Sequence, residues 1–456
     1  MGSAAIPAET EKSSQSQPKS FKAGQIIDGK WRIRALLGKG ACGVVYKVED
    51  KKKKGWMAAM KIEYISPDYD QTLRLEIGVL NKLKKRKDML KLLDYGGRRS
   101  FTYMVTSLCG KDLMALRCKI KRGFNDSTAL RIAVFTLYGL KQTHEAGYVH
   151  RDVKPGNIIT ASKDGRDSRC MLLIDFGMAR SFITTDKEGK KQMRLMRRRI
   201  PLRGTVRYCS LNVHDRCEQG RCDDLISMMY MLVEVTLGVP WHNLKDEKEV
   251  MAMKKATKDT ELFEELPEEF RLVFEYLKPL CYHDRPCYLK IYNLLFTAIK
   301  RLKINFLDPY EWEDDEIEKD AQLEKAAKEE QLAKKAKDVQ VGGDAEKSIK
   351  AEATQVAIDD KTSKEAMRPS KEFVKSEYDT KTLPPVKPDT NNNNNSVIAK
   401  SVSELVQPPR EPNLDTAIDY DPIEYTTKKA LNRDDLQFIV FPSVAISNFK
   451  EHTLPF

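Results

Sequence analysis

Little in this chain of 456 residues is arranged for disulfide bonding, structural metal capture or membrane insertion. Its nine cysteines are odd in number and lack framework spacing, which excludes a disulfide scaffold and fits a reducing compartment. Cys217 and Cys222 have no second cysteine pair at zinc-site spacing, so no metal–thiolate site is read. The N-terminus lacks the apolar stretch of a secretory signal, and no run approaches the length of a membrane span. Ile6 stands where a myristoylated Gly2 would require Ser or Thr. A soluble, cytoplasmic protein is the expectation. No basic patch interleaved with aromatics appears, so nucleic acid ranks well below protein as a partner.

Charge is abundant and unevenly divided. Residues 1–310 carry a net +21 and residues 311–456 a net −9, together the +12 of the whole chain. A basic N-terminal part suits acidic or phosphorylated protein partners, although much of such charge is ordinarily solvated surface. Residues 1–23 are polar and expected to be disordered. Beyond Asp308 the composition turns to Glu, Lys, Ala and Gln, then to low-complexity sequence containing the Asn391–Asn395 run. The expected boundaries are therefore a folded domain over 24–310 and a mostly disordered tail over 311–456 with a charged helical start. One apolar island interrupts the tail, Leu436 to Phe441, open to docking on a partner, docking back on the domain, or no role.

Within the domain, alternation predicts a strand with Trp31, Ile33, Ala35 and Leu37 on one face. Gly38-Lys39-Gly40-Ala41-Cys42-Gly43 interrupts it, and Val44 to Val48 resumes an extended pattern. Glycine loops of this form open a helix in dinucleotide-binding folds; here the loop joins strand to strand. Lys61 lies inside the apolar run Met57–Ile62. Leu73, Ile77, Leu80 and Leu83 recur at helical spacing, with Glu76 near the inward face. An ammonium on a strand and a carboxylate on a helix can pair. A long helix follows between Asn125 and Gly147, capped by Ser127 or Thr128, with Leu130, Val134, Leu137 and Leu140 as its stripe. Two short β runs, Asn157–Thr160 and Cys170–Ile174, with a turn at Asp164-Gly165, would bring Asn157 and Asp175 together. Leu225–Leu237 reads as a buried, Met-rich helix.

The chemistry concentrates in His150-Arg151-Asp152-Val153-Lys154-Pro155-Gly156-Asn157 and, eighteen residues after Asn157, Asp175-Phe176-Gly177. These supply a base for an attacking hydroxyl, a cation for a moving phosphoryl group and oxygen ligands for magnesium.

In this order the motifs resemble those of the protein kinase superfamily over about residues 24–310. Arg203-Gly204-Thr205-Val206-Arg207-Tyr208-Cys209-Ser210-Leu211-Asn212 resembles the casein kinase I group. Asp223-Asp224-Leu225, Tyr230–Glu234 and Pro240-Trp241 resemble its tau-tubulin kinase branch. The resemblance implies an α+β, two-lobed fold, a small β-rich lobe and a larger helical lobe, with ATP and Mg2+ as cofactors. It implies an ATP surface of Leu37, Gly38, Lys39, Gly40, Ala41, Cys42, Gly43, Val44, Val45, Lys61, Glu76, Thr106, Ser107 and Leu108. By the same resemblance Asp152 is the base, Lys154 the charge-neutralising lysine, and Asn157 and Asp175 the metal ligands. Substrates would be proteins with acidic or phosphorylated segments, tubulin or microtubule-associated proteins among them. The basic run Lys190–Arg199 adds Arg197, Arg198 and Arg199, with Arg207, as expected substrate contacts. A pseudokinase scaffold is the alternative; such proteins commonly lack the lysine, the base or the magnesium Asp, all present here.

Overall fold

Residues 20–40, 43–65, 71–162, 166–313, 441–450 and 454 are described by the structure, a computed structural model. Near the N-terminus, runs of β-branched and aromatic residues form β1 (Ile26–Ile27), β2 (Trp31–Gly40), β3 (Gly43–Asp50) and β4 (Met57–Tyr64). A helix, α1 (Leu73–Leu83), precedes β5 (Leu92–Gly97) and β6 (Phe101–Ser107). The strands make one antiparallel sheet in the order β1-β2-β3-β4-β6-β5. Trp31, Tyr46, Met60 and Val105 lie in its apolar core. The alternation expected along β2 lasts only through Ile33. Register shifts between Ile33 and Ala35 and between Leu36 and Gly38 break it, and Ala35, Leu36 and Leu37 are exposed. Bulges increase local twist and re-aim a strand end.

The glycine loop is thus mostly strand. Gly40 pairs with Gly43, while Ala41 and Cys42 lie outside the described residues. Gly43 has φ +122°, and a Cβ there would stand 2.3 Å from the Ile62 carbonyl oxygen. Glycine is required by the approach of β4.

The second lobe is helical. It contains α2 (Leu113–Ile120), α3 (Asp126–Glu145), β7 (Tyr148–Val149), β8 (Ile158–Thr160), β9 (Met171–Leu173), β10 (Arg180–Ser181), β11 (Ile183–Thr185) and β12 (Lys191–Met193). Then come α4 (Leu211–His214), α5 (Arg221–Thr236), α6 (Glu247–Ala256), α7 (Asp259–Leu262), α8 (Glu268–Leu277) and α9 (Tyr288–Arg301). The fold is α+β and two-lobed. The cap of α3 is Asn125, whose side chain accepts from the Thr128 N–H at 2.9 Å, rather than Ser127 or Thr128. Residues 128–145 of α3 are buried on every side, because α5, α9 and β9 all pack on it. Helix α5 is buried along its full length. It begins four residues before the expected Leu225.

Residues just outside the expected 24–310 domain pack against it. Phe21 packs edge-on to Phe101, ring centroids 5.3 Å apart. At the other end Tyr310 stacks on Trp312 at 4.3 Å, and Glu311 accepts from the Asn125 N–H at 2.6 Å. The expected tail contributes a further helix, α10 (Ser447–Lys450), and buried Phe441. The expected charged helix after 313, the Asn391–Asn395 run and the Asp164-Gly165 turn lie outside the described residues.

Candidate active site

Lys61 stands on β4 in register with Val45, one strand from the glycine loop. Its Nζ is 2.7 Å from Glu76 Oε2 and 3.0 Å from Asp175 Oδ1. Glu76 is buried in the first turn of α1. That turn has no capping bond from Thr72; instead Glu63 accepts from the Thr72 and Leu73 N–H groups at 2.9 and 3.1 Å. A carboxylate at a helix N-terminus satisfies orphan donors and opposes the helix dipole. Burial works against the Lys61 charge, yet Glu76 and Asp175 hold its pKa above the usual lysine range. Asp175 is held below the usual carboxylate range, burial notwithstanding, chiefly by the Lys61 ammonium.

The loop carrying Asp152 is anchored from α5. Asp224 accepts from the backbone N–H groups of His150 and Arg151 at 2.6 and 2.8 Å and bonds His144 Nε2 at 2.9 Å. These bonds, that of His144 foremost, keep its carboxylate ionised against burial. Arg151 has φ +69°, a conformation that costs an L residue roughly 1–3 kcal/mol and needs such anchoring. Asp152 Oδ2 meets Lys154 Nζ at 2.6 Å. Its Oδ1 accepts from the Thr205 hydroxyl at 2.7 Å. Asn157 Nδ2 donates to the Asp152 carbonyl at 2.8 Å.

Strands β8 and β9 pair antiparallel, Ile158 opposite Leu173. Their open end brings Asn157 beside Asp175, the Ile174 N–H donating to the Asn157 carbonyl at 2.9 Å. That is the hairpin read from the sequence. Phe176 packs edge-on to His150 at 5.2 Å.

Gly38 and Gly40 have nothing within 4 Å of where a Cβ would stand, leaving their backbone open. Leu37 is exposed, Val44 buried and Val45 half-buried, with Lys39 paired to Val44. Thr106 is buried on β6 between Ala59 and Leu92; Ser107 and Leu108 follow at its exit. An ammonium, a carboxylate and an amide beside an open glycine loop fit a triphosphate with a hard cation, which takes oxygen ligands.

Two of the four expected substrate arginines, Arg197 and Arg207, have carboxylate partners. Arg197 is bonded to buried Glu218 at 2.6 and 3.0 Å, and Arg180 stands 3.6 Å from the same carboxylate. Arg207 reaches Glu234 at 3.4 Å and the His242 carbonyl at 2.7 Å. Arg198 and Arg199 are exposed. The sequence reading gives Glu63, Glu218 and Asp224 no role, and gives Thr205 only a place in the Arg203–Asn212 motif. The doublet Asp223-Asp224 before an apolar helical run was the one visible signal, since acidic residues favour a helix N-terminus.

The family described as protein kinase domain matches residues 31–296. A Caenorhabditis elegans protein provisionally named a serine/threonine-protein kinase is 36% identical over 296 residues, 65% of this chain and 85% of its own length. A Dictyostelium discoideum protein, again provisionally named a serine/threonine-protein kinase, is 34% identical over 64% of this chain and 58% of its own length. An inactive tau-tubulin kinase of C. elegans is 31% identical over 49% of this chain and 79% of its own length. The chain belongs to the protein kinase family and is a serine/threonine protein kinase.

Proposed function

We propose that this kinase is catalytically competent and transfers the γ-phosphoryl group of ATP to Ser/Thr hydroxyls in acidic or already phosphorylated protein segments. The casein kinase I group, and within it the tau-tubulin kinase-like branch, is the proposed subfamily, resting on Arg203–Asn212 and Asp223-Asp224-Leu225. One observation carries the reading of competence: Lys61 bonds Glu76 and Asp175 together, at 2.7 and 3.0 Å, while Asp152 is held at both oxygens.

In this reading the serine or threonine oxygen attacks the γ-phosphorus, the bond to the ADP oxygen breaks, and Asp152 orients the hydroxyl and takes its proton. A weak nucleophile gains most from such positioning. Lys154 lies where it can offset charge on the moving group, and Lys61 stays protonated to hold the α- and β-phosphates. Asn157 and Asp175 would hold Mg2+, which when bound draws negative charge from the phosphate oxygens. Thr106, Ser107 and Leu108 would face the adenine.

The substrate reading changes in detail. Arg198 and Arg199 are exposed and remain the candidates for acidic substrate, whereas Arg197 and Arg207 already have carboxylate partners. The pseudokinase alternative keeps one support, the inactive relative. It is disfavoured by the presence and mutual bonding of Lys61, Glu76, Asp152, Lys154, Asn157 and Asp175.

The test is phosphate transfer from Mg·ATP by the full chain and by Asp175→Asn, offered casein and tubulin side by side. Incorporation that vanishes in the variant supports the reading. ATP binding without transfer in either protein would favour the scaffold.

A further inference from the structure

Side chains from the far end of the sequence complete the core of the helical lobe. Phe441, Val444 and Phe449 are at most 1% exposed. Phe441 meets Phe135 of α3 edge-on at 5.5 Å. Phe449 stacks on Tyr292 of α9 at 4.3 Å and packs edge-on to Tyr138 at 6.5 Å. Tyr292 also donates its hydroxyl to the Val444 carbonyl at 2.9 Å. Aromatic side chains buried in this way supply much of the energy of an interface.

Two polar attachments lie at functionally connected places. The Ser443 N–H donates to Asp88 Oδ2 at 3.0 Å, and Asp88, with φ +47°, sits in the loop leaving α1, the helix that carries Glu76. Tyr138, against which Phe449 packs, donates to the carbonyl of the adjoining Lys87 at 2.9 Å. At the other end Leu454 joins Val149 and Phe182 in a small apolar cluster. Its N–H donates to Glu145 at 3.2 Å and its carbonyl accepts from Arg285 at 2.6 Å. Phe182 accepts at its carbonyl from the Arg194 N–H at 2.8 Å, at the foot of the segment bearing Arg197, Arg198 and Arg199.

We infer that residues 441–450 together with Leu454 act as a clasp, the first of these seated on α3 and α9 of the same chain, that favours the paired state of Lys61 and Glu76. The occupant of this surface is the chain's own C-terminal segment. It grips the loop behind α1 and the foot of the substrate segment at once. A segment that binds one arrangement better than another shifts the population toward it, and here it is bound while the pair is closed. None of the bonds and ring contacts just described involves Lys61, Asp152 or Asp175. The clasp therefore braces the cleft from behind rather than plugging it.

The experiment uses the full chain carrying Phe441→Asp and Phe449→Asp, followed by hydrogen exchange and phosphate transfer. Faster exchange across residues 441–450 reports release. Release should also speed exchange in residues 73–91 and lower kcat about ten-fold, a size usual for coupling between two sites. A synthetic peptide of residues 436–456 should reverse both changes in trans, and the same peptide carrying Phe449→Asp should not. Asp88→Gly tolerates the left-handed backbone while deleting the acceptor, and should move both readouts in the same direction by a smaller factor. Higher kcat on release, or unchanged exchange over 73–91 with the segment released, would overturn the inference. Since it rests on the kinase reading only for its rate, the exchange result separates the two: absence of transfer in the unaltered chain counts against catalysis, not against the clasp.

Discussion

Thr205 donates its hydroxyl to Oδ1 of Asp152 across 2.7 Å, while Lys154 holds Oδ2 at 2.6 Å. The two bonds fix the plane of the carboxylate. Gly204 makes the approach possible, because at φ +100° a Cβ would lie 2.3 Å from the Arg151 carbonyl oxygen. Hydrogen bonds to charged groups contribute about 1.5–3 kcal/mol. Thr205→Val should therefore lower kcat roughly 10- to 100-fold with little change in KM for ATP, and Thr205→Ser should keep most of the rate. Equal rates for the valine and serine variants would show that the bond does not position Asp152.

Lys61 and Glu76 form a pair screened from water, 13% and 2% exposed at the side chain. Removing one partner of such a pair costs about 3–5 kcal/mol, since the other charge is stranded. Glu76→Leu should lower the urea midpoint, and Lys61→Met with Glu76→Leu should recover much of the loss. Activity should stay absent in both. Additive midpoint losses in the double variant would mean that the two charges are not coupled.

His214 supplies a pH dependence. Its imidazole is pushed down to about 4 by burial and by the neighbouring Lys254 ammonium. Lys254 Nζ is 3.3 Å and Cys209 Sγ 3.4 Å from Nε2, and Glu247 lies 3.7 Å from Nδ1. With a lowered folded pKa, the unfolded chain binds more protons between pH 6.5 and 4. Stability from the neutral ring is complete above pH 6.5 and is lost as pH falls toward 4. The melting temperature of wild type relative to His214→Asn should decline across that window. A constant difference from pH 7 to pH 4 would rule out this titration.

Glu218 is the buried carboxylate between Arg197 and Arg180, and Arg151 lies in the same cationic surroundings, pulled down to about 10 by burial and then by Arg180. An internal carboxylate here can take the place of a phosphate on the segment. Glu218→Gln should reduce basal kcat roughly ten-fold, the effect of weakening a charge-assisted pair, and added inorganic phosphate should restore part of it. Unaltered kcat would show that the segment is held without Glu218.

The motifs that carry the chemistry were legible because each is contiguous. His150–Asn157 and Asp175-Phe176-Gly177 state their residues in order, and the β8–β9 hairpin joining them is short, so local pairing suffices to bring Asn157 to Asp175. The helical spacing of Leu73, Leu80 and Leu83 likewise placed Glu76 on a buried face. What could not be read was which exposed-looking polar residue meets which. Arg197 and Arg207, expected as substrate contacts, are bonded to Glu218 and Glu234, 21 and 27 positions away. Asn125, rather than Ser127 or Thr128, caps α3, because the choice among neighbouring polar residues depends on backbone dihedrals.

The amino-acid order by itself determined the parts: strand, loop and helix periodicities, one set of reactive groups, and the division of charge. Local spacing encodes these, since side chains a few residues apart have their relative directions set by the backbone. Only the tertiary structure decided that Asp224 would anchor the His150 loop, that Thr205 would hold Asp152, and that Phe449 would return to Tyr292. Those contacts join residues separated by 53 or more positions. Their partners are chosen by shape and burial in the assembled core, which no local pattern records.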